Sequence, residues 1–181
     1  MPKNKKHTHA QAPIGGPVHL TDYGRKLIAA DMYSKGRGFV YAAILLSRAK
    51  GDSSVELHLH CQGLEITLKA ILLRIDFARY QPLLKTKFGH DIARLAREAN
   101  CAAGRRPFTG KLDAELQQLS ELYKATVLRY AGLFSMMVAP ETIPTKRVMR
   151  MFAALMIGLE SKRVLFMSSP ESQVVSTQAQ A

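Results

Sequence analysis

His58, Gln62, Glu65 and Lys69 recur at alternating spacings of four and three, which places them along one strip of an α-helix. The Glu65 to Lys69 pair at i,i+4 is worth only a few tenths of a kcal/mol on a solvated helix edge. The strip becomes a candidate site if the rest of that helix is buried, because polar groups there need partners. His58, His60 and Cys61 invite a metal reading, but His58 and His60 point about 160° apart on a helix. Cys61 falls among apolar residues, where a thiol acts as a small hydrophobe, so no metal site is expected. No cofactor is expected either, because the Gly-x-x-x-x-Gly-Lys phosphate loop and the Gly-x-Ser-x-Gly elbow are both absent.

The element that must carry this strip spans residues 53 to about 76. Ser53 followed by Glu56 reads as a capping box at its start. Leu57, Cys61, Leu64, Leu68, Ile71, Leu72 and Ile75 form one apolar stripe, and Leu59, Gly63, Ile66, Ala70 and Leu73 form a second on the opposite side. A helix apolar on two faces is either central in a bundle or covered by a second subunit, which predicts a symmetric dimer.

Other helices are predicted around it. One starts at Thr21 as N-cap, bends near Gly36 and Gly38, buries Phe39, Ala42, Ala43 and Leu46, and ends at Gly51. Residues 77–89, with Pro82 and a basic run, read as a loop or short turns. A helix opened by Gly89, His90 and Asp91 follows, with Ala93, Leu95, Ala96 and Ala99 as its apolar side and Gly104 and Pro107 as its stop. Residues 111 to about 131 form a long amphipathic helix through Leu112, Leu116, Leu119, Tyr123, Thr126 and Tyr130. Thr145 caps a last helix through Val148, Phe152, Leu155 and Leu159. The expected fold is all-α, an antiparallel bundle of about five helices over residues 19–167, between a disordered basic tail at 1–18 and a disordered tail at 168–181.

The run His60-Cys-Gln-Gly-Leu-Glu65-Ile-Thr-Leu-Lys69, a basic loop, and then Gly89-His90-Asp91 resembles the HEPN family of helical domains. Arg129-Tyr130 is similar to the Arg-Tyr pair near the end of a later helix in many members. The resemblance implies a HEPN-like bundle that dimerises, with a ligand-binding groove formed by Glu65, Lys69, His90, Asp91, Arg129 and Tyr130. The nuclease branch of that family carries Arg, then four to six intervening residues, then His. Here the corresponding positions hold Leu83, Leu84 and Lys85, and the point charge of Lys85 cannot reproduce the guanidinium fork on a phosphate.

Charge and composition bound the partners. Lys and Arg total 26 against 14 Asp and Glu, a net charge of +12 that attracts phosphates and acidic partners. Lys3, Lys5 and Lys6 of the tail and Lys85 and Lys87 of the loop are the candidate nucleic-acid contacts. No apolar run reaches the roughly 18 to 20 residues of a membrane span, and the two cysteines give no disulfide framework, so a cytoplasmic protein is expected. The leading reading is a non-catalytic HEPN-like module that dimerises and binds RNA, a nucleotide or a protein partner. The alternatives are a metal-independent ribonuclease of toxin or phage-defence type using His90, and an antitoxin-like interaction module.

Overall fold

The computed structural model describes residues 20–108, 110–125 and 146–161, the last stretch with side chains through 154. Five long helices and one short one appear among them, with no strand: α1 (Asp22–Arg48), α2 (Ser53–Ile75), α3 (Phe77–Tyr80), α4 (Ile92–Ala102), α5 (Gly110–Lys124) and α6 (Lys146–Ser161). A single π-helical turn, Leu84–Phe88, precedes α4. The chain is an all-α helical bundle, and no helix among the described residues is long and apolar enough to cross a membrane.

Thr21 caps α1, its hydroxyl accepting from the Gly24 amide at 3.1 Å. The helix then runs unbroken for 27 residues, through both Gly36 and Gly38. Gly36 faces Gly63 and Thr67 of α2 so closely that a Cβ at Gly36 would stand 2.8 Å from the Thr67 backbone nitrogen, and one at Gly63 would stand 2.9 Å from the Gly36 carbonyl oxygen. Because Gly36 meets Thr67 while Val40 meets Gly63, the two helices run antiparallel. The buried face of α1 is Ala29, Tyr33, Gly36 and Ala43, not the predicted Phe39, Ala42, Ala43 and Leu46. Ala42 is exposed, and Phe39 and Leu46 are half-buried.

The end of α1 also differs from expectation. The Gly51 amide bonds to Leu46 O at 2.9 Å and the Lys50 amide to Ser47 O at 3.1 Å, the paired bonds of a Schellman ending. Lys50, with φ 53°, occupies the left-handed position where glycine is usual, while Gly51 lies one residue beyond, pressed against Leu46.

Asp52, not Ser53, caps α2, accepting from the amides of Ser54 at 2.8 Å and Val55 at 3.1 Å. The expected capping box gives way because a carboxylate one residue earlier satisfies two orphan amides by itself. Leu57, Cys61, Leu64, Leu68, Ile71 and Leu72 are all buried. On the second stripe Gly63, Ala70 and Leu73 are buried while Leu59 and Ile66 are half-buried. The close approach at Gly36 and Gly63 puts α1 of the same chain on this stripe, so no second subunit is needed to cover it.

The predicted apolar side of α4, Ala93, Leu95, Ala96 and Ala99, is fully buried together with Ile92. Leu116, Leu119 and Tyr123 of α5 close the core, and Val148 and Phe152 of α6 join it. A bidentate pair from Arg97 to Asp113, at 2.8 and 3.0 Å, ties α4 to α5. Ala125 turns out of α5. The predicted continuation to 131, the Thr145 cap and both tails lie outside the described residues.

Candidate functional site

Glu65 is the hub of the polar strip. Its side chain is only 6% exposed, and a carboxylate at that depth must be fully hydrogen-bonded to remain charged. Three partners meet it: Lys69 Nζ donates to Oε1 at 2.6 Å, while the Tyr123 hydroxyl at 2.7 Å and His90 Nδ1 at 3.0 Å both reach Oε2. Burial pushes the Glu65 carboxyl up. The hydrogen bonds from His90, Lys69 and Tyr123 outweigh it, and the group is held below the ordinary glutamate range.

Proton counting fixes the roles. Glu65 can only accept, so Nδ1 of His90 carries a proton and, in the neutral ring, Nε2 is the acceptor. Tyr123 has one proton and two oxygens within 2.7 Å, Glu65 Oε2 and Gln62 Oε1. The charged acceptor takes that proton, and Gln62 is satisfied by turning its amide so that nitrogen faces the phenol. The Tyr123 ring is edge-on to His90, with centroids 6.0 Å apart, and tilted against His58 at 5.9 Å.

Asp91 makes a second pair beside the first. It caps α4 by accepting from the Arg94 amide at 2.9 Å, takes a hydrogen bond from Ser120 Oγ at 3.0 Å, and stands 3.5 Å from Lys124 Nζ. Burial raises the Asp91 carboxyl, but the Arg94 amide, Ser120 and Lys124 hold it below the usual range. The helix therefore starts at Ile92 and His90 lies just before its cap. The His90 side chain is 55% exposed, the most open edge of a knot whose centre, Glu65, is closed.

Four of the predicted ligand-binding residues, Glu65, Lys69, His90 and Asp91, thus come together. Arg129 and Tyr130 lie outside the described residues, as do Lys3, Lys5 and Lys6. Tyr123, Ser120 and Lys124, which residue spacing alone did not assign to the site, complete it from α5. A signal existed: Tyr123 falls on the buried face of that helix, and a buried phenol needs a partner.

The carboxylates and ammonium groups of the knot balance each other, so the knot itself carries no surplus positive charge, and the nearest cations beyond it are in the basic loop. There Lys87 at 3.8 Å and Arg79 at 3.5 Å share Glu98, Arg94 donates to the Lys87 carbonyl at 3.0 Å, and exposed Lys85 makes no ion pair among the described residues. His60 Nε2 lies 3.6 Å from Glu56 on a different side of α2. Burial raises the Cys61 thiol far above its usual value, with the Glu65 charge adding to the effect, so it is no nucleophile. Among the described residues no group of three or more His, Cys, Asp or Glu side chains is placed to hold a metal ion.

No family model, no curated protein and no solved structure matches the chain.

Proposed function

We propose that this protein is a non-catalytic HEPN-like module that dimerises and binds a phosphate-bearing ligand, RNA or a nucleotide, at the open edge of the Glu65 knot. The observation that carries the reading is the half-exposed His90 ring, locked by a buried carboxylate at 3.0 Å and flanked by the basic loop. A locked imidazole with an outward edge orients a ligand, and the loop cations supply attraction for phosphate. No guanidinium stands at the spacing that would fork a scissile phosphate, and Lys69 and Lys124 are already engaged by carboxylates. Dimerisation is supported by Tyr23, Leu27, Tyr41 and Leu45, exposed side chains that fall within one narrow stripe along α1.

One observation favours the ribonuclease reading. Glu65 holds the proton on His90 Nδ1, as the carboxylate of a catalytic dyad does, and leaves Nε2 as a base. A single experiment separates the two readings. The full chain, purified at high salt, is mixed with labelled RNA and, separately, with a labelled nucleotide, both in chelator and both beside His90→Ala. The module reading expects binding without cleavage. Cleavage by the wild type that disappears in a folded His90→Ala protein makes the nuclease reading the right one, and a protein that neither binds nor cuts RNA or nucleotide removes the phosphate ligand altogether.

A further inference from the structure

A second concavity lies on a different side of α2 from the Glu65 knot, between the C-terminal half of α1, the start of α2 and the first turns of α6. Its volume is about 570 Å³, within the range of small-molecule sites. Val40 and Ile44 of α1 and Met149 and Phe152 of α6 supply its apolar walls. Met149 gives one wall an unbranched, adaptable side chain. At the rim, Lys146 and Arg150 stand one turn apart on α6, both exposed and neither in an ion pair among the described residues. Arg37 lines the groove from α1, donating to the Tyr41 hydroxyl at 2.8 Å and stacked over the Tyr33 and Tyr41 rings at 5.9 and 5.5 Å. Among the described residues the one lining carboxylate, Glu56, faces His60 at 3.6 Å.

We propose that this groove binds an amphipathic anion: a small molecule with an apolar body lying between Ile44, Met149 and Phe152 and a single anionic head at Lys146 and Arg150. The walls alone would accept any apolar body. Among the described residues three lining cations against one carboxylate set the head: a positive rim attracts an anionic head and repels a cationic one, and an uncharged head gains nothing from it. Burial lowers the pKa of His60 despite the opposing pull of Glu56, so near neutrality it adds no charge of its own to the wall. The site shares no residue with the Glu65 knot and stands or falls separately from it.

The test is calorimetric titration of the full chain with decanoate and with decanol, which share an apolar body and differ in the head. Decanoate is expected to bind saturably, more tightly than decanol by about tenfold or more, and to weaken with added salt while decanol does not. Lys146→Ala with Arg150→Ala should bring decanoate to the level of decanol, and Ala153→Trp, which places a ring in the groove from an exposed helix position, should abolish both. These three positions are exposed, and circular dichroism checks that each variant keeps its helices. Equal affinity for the two probes, no saturable decanoate binding, or unchanged decanoate affinity in the folded double variant overturns the proposal.

Discussion

Glu65 sits 6% exposed in the side chain with three donors on two oxygens, so its charge is both costly to bury and well satisfied. Its folded-state pKa is depressed. The stability it contributes is therefore fully present above the unfolded glutamate value, roughly 4.3, and is lost as pH falls through the lower folded value. Glu65→Gln should flatten that acid limb in urea denaturation. At neutral pH it should cost about 2–3 kcal/mol, below the usual figure for a broken buried pair, because Lys69 and His90 retain access to water. His90→Ala removes one hydrogen bond to a carboxylate that keeps two others, from a ring already half in solvent. A loss of about 1–2 kcal/mol is expected, together with weaker ligand binding, and thermal melting beside a binding titration reads both. A ligand affinity unchanged by the loss of His90 would place the ligand elsewhere.

At the scale of the helix, the α1–α2 pair depends on two glycines that let backbones approach. A Cβ at Gly63 would stand 2.6 Å from Val40 Cγ2 and 2.9 Å from a backbone oxygen. The side chain can move, but the backbone clash cannot be relieved without separating the helices. Gly63→Ala should thus destabilise by about 1–3 kcal/mol, although alanine is the better helix former. A neutral or stabilising effect would mean that the two helices are free to slide apart. Lys50 is the opposite case. Its φ of 53° is strained for a residue with a Cβ, so Lys50→Gly should stabilise by about 1 kcal/mol in chemical denaturation, with no change in fold.

Over the whole molecule, the +12 net charge is not spread where the knot is. The Glu65 and Asp91 clusters neutralise themselves, so nucleic-acid affinity should come from the basic loop and the N-terminal tail and should be mostly electrostatic. Deleting residues 1–12 and changing Lys85 and Lys87 to Ala should weaken binding to all sequences alike. It should also shallow the salt dependence by about 0.7 to 0.9 for each phosphate that is no longer neutralised. Fluorescence anisotropy across a salt series checks this, and an unchanged slope would put the footprint on another face. Light scattering at tens of micromolar decides the dimer, and a monomer there would leave the α1 stripe without the partner proposed for it.

Periodicity alone determined the all-α class, the positions of the long helices and the doubly apolar character of α2. These follow from which residues share a helix face, and that is a local property of spacing. The same arithmetic placed Glu65 and Lys69 on one strip, and the Gly-His-Asp run located the start of α4 to within two residues. What covers the second stripe of α2 was settled only by tertiary packing: Gly36 and Gly63 permit an approach that no single-helix pattern encodes, and α1 takes the place assigned to a second subunit. Choice of cap was likewise a competition between neighbours, won by Asp52 over Ser53 because one carboxylate reached two amides. Tyr123 and Ser120 entered the site because α5 docks them against residues roughly 30 to 60 positions earlier in the chain. Hydrogen bonds over that separation depend on how helices dock, and docking is decided by the shapes of whole faces rather than by the spacing within any one of them.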